Sequence, residues 1–256
     1  MQRSDLTAWL RLGESAALTA GHHLAALRAS WSVITQEIGH DIKVQADERA
    51  EKMIVDLLRG GSDLPIFSEE TGWQKGAREA DQIWVVDPLD GSANYFQGFP
   101  LCAVSIALLD KGIPVLGVVY DFNLDELFSG IVGQGAWLNH VAMKVSDVSD
   151  PGKGVLMTGL PVRRDTSPQS LAAMAATLGQ WRKVRMIGSA ALASAYVAAG
   201  RADLYCEENT MMWDVAAGCA LIKAAGGVAE ISSGPLDEPK NVVAHNGNLG
   251  AVKNNV

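Results

Sequence analysis

The sequence predicts a mixed fold, part α+β and part α/β, built as two intimately packed subdomains. Three observations carry this expectation: two helical stretches lead the chain, strand-like runs crowd its middle, and from about residue 154 strand-like and helical pieces alternate. With 256 residues, 48% apolar and 20% charged, the chain has an ordinary globular composition and can bury a substantial core. No repeat, low-complexity tract or linker divides it, so residues 1–256 read as one domain with a soft subdomain boundary near 147–152.

The elements follow in order. Leu6, Trp9, Leu10, Leu12, Ala16, Ala17, Ala20 and Leu24 recur at three- and four-residue steps, predicting a helix from a Ser4-Asp5 cap to about Ala29. Ala50, Met53, Ile54, Leu57 and Leu58 repeat the pattern over Gln45–Leu58, and Gly60-Gly61 ends it. Strands are expected at Pro65–Ser68, Ile83–Asp87, Ala103–Leu109, Pro114–Asp121 and Glu126–Val132, several separated by Gly, Asn or Asp turns. In the last third, Val155–Thr158, Val184–Ile187, Asp203–Cys206, Val228–Glu230 and Val242–Ala244 read as strands. Ser167–Gly179, Ser189–Ala199 and Trp213–Ala225 read as the helices between them.

Composition excludes several classes. Twenty-one basic against twenty-nine acidic residues leave a net charge of −8, a poor surface for a phosphate backbone, so no nucleic-acid partner is expected. The longest strongly apolar run, Leu101 to Leu109, is about half the roughly 20 residues of a membrane span, and the N-terminus lacks a signal-peptide core. A cytoplasmic protein without a membrane partner is therefore expected. Cys102, Cys206 and Cys219 are odd in number and widely spaced, as expected of reduced, buried thiols.

The stretch richest in chemistry is Trp84-Val85-Val86-Asp87-Pro88-Leu89-Asp90-Gly91-Ser92-Ala93-Asn94-Tyr95, an apolar strand ending in two carboxylates three residues apart. Pro88 cannot continue a central strand, which predicts Asp87 as the last strand residue and Asp90 projecting from the following turn. Gly91 permits close backbone approach, and Ser92 can open a short helix whose free N–H groups suit an anion. The same run is also good turn chemistry on its own. Pro65-Ile66-Phe67-Ser68 runs into Glu69-Glu70 in the same way, and because neighbouring side chains of an extended segment diverge, Glu69 is favoured as the one meeting Asp87 and Asp90. Asp214 opens an apolar helix and Asp47 stands near the start of another; both also suit plain helix-start acids. Together these acids point to a hard cation such as Mg²⁺, held by carboxylates beside a substrate phosphate, and hence to hydrolysis. No GxxxxGK[ST], no strand-linked GxGxxG, no zinc-type His spacing and no GxSxG elbow appears.

In order and separation, Glu69-Glu70, Asp87-Pro88-Leu89-Asp90-Gly91-Ser92 and Trp213-Asp214 resemble the signature of the inositol monophosphatase family of Mg²⁺-dependent, lithium-sensitive phosphomonoesterases. Ala46-Asp47, Gly98-Phe99-Pro100, Gly117-Val118-Val119-Tyr120, Gly188-Ser189-Ala190-Ala191, Gly200-Arg201-Ala202-Asp203 and Ala225-Gly226-Gly227 extend the likeness over nearly the whole chain. The resemblance implies a layered αβαβα sandwich of the sugar-phosphatase type, a homodimer, and an active site between layers. It further implies two or three Mg²⁺ ions: Glu69, Asp87 and the Leu89 carbonyl on the first, and Asp87, Asp90 and Asp214 on the second. Glu70 would stand behind these ligands. Asp47 would accept a hydrogen bond from Ser92, which with Glu69 orients the metal-activated water, and the Gly91 and Ser92 N–H groups would hold the phosphate. Substrate contacts would come from Asp90, Gly188, Ser189, Ala190, Glu207 and Asp214.

Departures from the family pattern are Ser92 in place of the more usual Thr, Gln36 where some members carry Lys, and Met211-Met212 in place of a more polar pair. Gly91-Ser92-Ala93-Asn94-Tyr95 is closer to the inositol and sugar phosphatase form than to that of the bisphosphate nucleotidases. Arg163 and Arg164 could reach a second anionic group or form a solvated loop pair. The expected function is Mg²⁺-dependent hydrolysis of a small phosphorylated metabolite, inositol monophosphate or a related sugar phosphate. Histidinol phosphate and 3′-phosphoadenosine 5′-phosphate remain alternatives, as do a non-enzymatic partnership with transcription machinery and metal binding without turnover.

Overall fold

A computed structural model describes residues 3–38, 41–74, 78, 80–160 and 167–249. Among the described residues, two large sheets stack in alternating layers with helices, and a third, two-stranded sheet joins the first two helices. On the outside lie α1 (Arg3–Trp31) and α2 (Gln45–Gly61), linked by a hairpin of β1 (Ile34–Ile38) and β2 (Asp41–Val44). Beneath them is an eight-stranded sheet made of β3 (Ile66–Ser68), β4 (Gly72–Trp73), β5 (Gln82–Asp90), β6 (Ala103–Asp110), β7 (Ile113–Asp121), β8 (Glu126–Ile131), β9 (Gly135–Leu138) and β10 (Val141–Met143). Its order is β10-β9-β8-β7-β6-β5-β3-β4, antiparallel except for β3 beside β5. The six-residue α3 (Ser92–Gln97) follows β5.

The rest of the chain is α/β. It comprises β11 (Val155–Thr158), α4 (Pro168–Leu178), β12 (Lys183–Arg185), α5 (Ala190–Ala198), β13 (Leu204–Thr210), α6 (Met212–Ala224), β14 (Val228–Ile231) and β15 (Lys240–His245). The strands form a mixed sheet in the order β12-β11-β13-β15-β14. The chain crosses from the first sheet to the second between β10 and β11, through a short 3₁₀ turn at Pro151–Lys153.

Side-chain alternation explains the layering. Along β5, Trp84 and Val86 pack into the cluster shared with α1 and α2, whereas Ile83 and Val85 pack into the cluster shared with α5 and α6. Strand β6 divides likewise, with Val104, Ile106 and Leu108 on the first face and Ala103 and Ala107 on the second. The small residues on that second face let α6 approach closely; a Cβ on Gly117 would lie 2.2 Å from the Ala217 carbonyl oxygen. A smaller cluster of Leu156, Leu204 and Cys206 with Leu178 and Trp181 packs α4 on the far side of the second sheet. Tyr95 is fully buried and donates to the Leu24 carbonyl at 2.8 Å, pinning α3 to α1.

Several expectations need correction. Helix α1 already includes Arg3, upstream of the expected Ser4-Asp5 cap. Strand β5 does not stop at Asp87 but runs to Asp90: Asp87 faces Ser105 while Asp90 faces Ala103, three residues spanning two, so a bulge accommodates Pro88 without a ladder donor. The hairpins β1–β2 and β9–β10 were not expected. The second turns on Asn139 and His140, both at positive φ (47° and 65°), a type I′ geometry reached here without glycine. All three cysteines are buried and unbridged.

Candidate active site

Alternation along β5 puts Asp87 on the same face as Ile83 and Val85, towards α6, and the bulge lets Asp90 join it. Asp87 is 1% exposed, and its Oδ1 accepts the Leu89 N–H at 3.0 Å. Gly91 then turns the chain into α3 at φ 89°, where a Cβ would lie 2.8 Å from the Leu101 carbonyl oxygen and 3.1 Å from that of Gly188. No other residue fits that crossing without displacing backbone. Asn94 Nδ2 ties the same loops together, donating to the carbonyls of Leu101 at 2.7 Å and Ile187 at 2.8 Å.

Asp90 is clamped from the other half of the chain. Ser189 caps α5 and donates its hydroxyl to Asp90 Oδ2, while the N–H groups of Ala190 and Ala191 reach Asp90 at 3.3 and 2.8 Å. Those are otherwise unpaired donors at a helix start, where negative charge is favoured. Asp214, in the first turn of α6, accepts from Thr210 Oγ1 and from the Met211 N–H, each at 2.8 Å. The carboxylates of Asp87, Asp90 and Asp214 thereby converge, each offering an oxygen within 4.8 Å of the others.

Glu69 borders the triad without joining it. Its N–H donates to the Val86 carbonyl at 3.1 Å, which fixes the β3 exit beside β5. Its carboxylate lies 3.9 Å from Lys43 Nζ, and the same ammonium donates to Glu70 Oε1 at 2.8 Å. Glu51, on α2, accepts the Glu70 N–H at 3.0 Å. Asp47 Oδ1 accepts the Ser92 hydroxyl at 2.7 Å and Asp47 Oδ2 accepts the Val44 N–H at 2.6 Å; the Leu89 carbonyl is 3.0 Å from the same hydroxyl. A cavity of about 260 Å³ opens beside the triad, bordered by Glu69, Asp87, Asp90, Asp214, Leu89 and the Gly91-Ser92 turn, with Gly188, Ser189, Ala190 and Glu207 also lining it. Glu207 accepts a hydrogen bond from Tyr205 at 3.1 Å.

The electrostatics are those of crowded acids. Burial first, and the Asp214 charge second, push Asp90 up to about 7 despite its helix-start donors. Burial pushes Asp87 well above the usual carboxylate range, with Glu69, Asp90 and Asp214 adding repulsion, and Glu69 rises well above its range for the same two reasons. Burial also takes Asp47 and Glu207 to about 7. Burial alone would lower the Lys43 ammonium, but the Glu70 hydrogen bond and the charges of Glu69, Glu70 and Asp47 hold it above its ordinary value.

Lys43, Glu51, Asn94 and Thr210 were not singled out from the sequence; their parts depend on contacts 4 to 93 positions away along the chain. Gln36 is exposed on β1, directly across the hairpin from Lys43. Arg163 and Arg164 lie outside the described residues.

An all-oxygen donor set in which Asp87 and Asp90 are buried and disfavoured as anions until a cation arrives fits a hard divalent ion such as Mg²⁺. The family model described as "Inositol monophosphatase family" matches residues 5–253. The chain belongs to the inositol monophosphatase family. One curated member, "Inositol-1-monophosphatase" of Synechocystis, is 36% identical over 96% of this chain and 87% of its own. Another, "Nus factor SuhB" of Xylella fastidiosa, is 39% identical over 89% of this chain and 82% of its own. A solved inositol monophosphatase from Anabaena (Nostoc) superposes with a TM-score of 0.82 at 35% identity, covering 95% and 92% of the two chains. Membership supports a phosphatase function, and the αβαβα layering agrees with the inositol monophosphatase fold. Among the described residues no helix is long and apolar enough to cross a membrane.

Proposed function

We propose that the protein is a Mg²⁺-dependent phosphomonoesterase acting on a small phosphorylated metabolite, with inositol monophosphate or a related sugar phosphate first among substrates. The observation that carries this reading is the convergence of the Asp87, Asp90 and Asp214 carboxylates within 4.8 Å beside a small cavity. At about 260 Å³ that cavity lies just below the roughly 300–1,000 Å³ of drug-sized ligand pockets, which suits a small monoester. Family membership and the "Inositol-1-monophosphatase" relatives support the same class.

Two or three Mg²⁺ ions would be held by Glu69, Asp87, the Leu89 carbonyl, Asp90 and Asp214. When bound, such ions polarise the phosphoryl group and lower the pKa of an attacking water. The protein's own part is positioning. Asp47 accepts the Ser92 hydroxyl proton at 2.7 Å, which leaves the Ser92 oxygen as a fixed acceptor that, with Glu69, orients the incoming water. The Gly91 and Ser92 N–H groups receive the phosphate, and Glu207 with the Gly188–Ala190 segment meets substrate hydroxyls. Glu70 stands behind the ligands and accepts a hydrogen bond from the Lys43 ammonium that neighbours Glu69. We assign the working form to a cytoplasmic homodimer.

Phosphate release from a panel of inositol, sugar, histidinol and nucleotide phosphomonoesters tests the reading. Release in millimolar Mg²⁺, abolished by EDTA and restored by added Mg²⁺, is the expected result; a folded protein that releases phosphate from none of them overturns it. The relatives named "Nus factor SuhB" favour a second reading, a regulatory partnership with transcription machinery. Capture of RNA polymerase or ribosomal components by the protein checks it, and such capture by a catalytically silent protein would put that reading first.

A further inference from the structure

Lys43 is the one residue near the site that carries positive charge into it among the described residues. We propose that its ammonium is a built-in cation, filling a subsite of Glu69 and Glu70 that would otherwise take a divalent ion. The inference rests on the metal-dependent reading above and concerns how many ions the site then needs.

The geometry is unlike that of a surface ion pair. Such a pair joins one exposed cation to one exposed acid and contributes little. Lys43 Nζ instead lies within 4 Å of two carboxylates, 2.8 Å from Glu70 and 3.9 Å from Glu69, and also feels the charge of Asp47. The side chains of Lys43, Glu69 and Glu70 retain only 23%, 21% and 10% of their exposure.

Each member is also held from behind. Lys43 sits in the β1–β2 ladder opposite Gln36, its successor Val44 donates to Asp47, and Glu51 fixes the Glu70 backbone at 3.0 Å. Two fixed carboxylates sharing one cationic point, one of them Glu69 on the cavity wall, make the kind of oxygen-lined place a hard cation takes. With the ammonium present, one positive charge is already supplied there and the nearer Glu70 oxygen is already engaged. Loss of the ammonium should therefore open a position for one further divalent ion.

The test is a count of Mn²⁺ ions bound per chain, by calorimetry and by electron paramagnetic resonance of free Mn²⁺, in the wild type and in Lys43→Met. The expected result is one more ion per chain in K43M, together with a lower melting temperature of the metal-free protein and a larger rise on adding Mn²⁺. Lys43→Gln, which keeps a hydrogen-bond donor for Glu70 but not the charge, should gain the same ion, and Lys43→Arg should not. An equal count in the wild type, K43M and K43Q overturns the subsite. A wild-type count of zero instead overturns the metal-dependent reading, so the two failures are distinguishable.

Discussion

Asp47 and Asp90 are 1% and 8% exposed, and burial pushes both to about 7, yet the regions around them differ in kind. Asp90 reaches from the first sheet to the start of α5, accepts three hydrogen bonds from Ser189, Ala190 and Ala191, and faces Asp214 as its main charged neighbour. Asp47 stays within its own half, accepting from Val44 and Ser92, with Glu70 and Lys43 acting on it in opposite directions. Burial therefore does not set what an acid does here; its partners do. An acid facing other acids is matched to a cation, and an acid facing a hydroxyl is matched to holding that hydroxyl.

Paired substitutions test the comparison most severely. Asp90→Asn removes a charge from the triad. The charge stabilisation supplied by a metal is worth several kcal/mol, and roughly 1.4 kcal/mol is tenfold, so kcat should fall about a thousandfold or more. Asp47→Asn removes a positioning partner and should lower kcat by about a hundredfold, the lower end of such proton-handling effects. D90N should also weaken Mn²⁺ binding, whereas D47N should leave the ion count unchanged. Equal losses of Mn²⁺ in the two variants would break the distinction.

A smaller effect separates the metal-free and metal-loaded states. Asp47, Asp90 and Glu207 titrate near 7 in the folded chain, against ordinary values of 3.8, 3.8 and 4.5, so between those limits the folded state binds more protons than the unfolded one. Stability must then fall as pH rises through that window, the reverse of an ordinary salt-bridged acid. With EDTA present the melting temperature should drop from about pH 5 to pH 8; with saturating Mg²⁺ the drop should flatten, because the ion replaces the protons at the triad. Parallel curves with and without Mg²⁺ would show that the triad does not hold a cation.

The difference between the two regions also explains what was legible in the sequence. The acids were visible because each ends an apolar strand or opens an apolar helix, and local patterning is what a linear reading detects. Asp90 could be named, but not its clamp, because Ser189 and Ala191 lie 99 and 101 positions away. Pro88 was read as a strand end; an isolated proline gives no sign that the neighbouring strand can absorb it in a bulge. Lys43 was invisible for a related reason. A lysine in a short alternating stretch reads as solvated until a hairpin that lacks a strong turn signal places it against Glu69 and Glu70. The five-layer arrangement was reached through family likeness, since periodicity supplied the elements but not their stacking.

The mildest test concerns Ser92, on the Asp47 side of the comparison. Its hydroxyl lies between Asp47 Oδ1 at 2.7 Å and the Leu89 carbonyl at 3.0 Å and can donate its single proton to only one of them at a time. Ser92→Thr keeps the hydroxyl and adds a methyl that restricts the side-chain torsion. Confining one torsion is worth under about 1 kcal/mol, so kcat should change by less than about fivefold, with the pH profile and ion count unaltered. Ser92→Ala keeps the backbone turn but leaves Asp47 with the Val44 N–H as its remaining hydrogen bond and should match the loss seen in Asp47→Asn. If the Ala variant instead behaves like Ser92→Thr, Asp47 does not act through this hydroxyl, and its burial beside Val44 is a matter of folding alone.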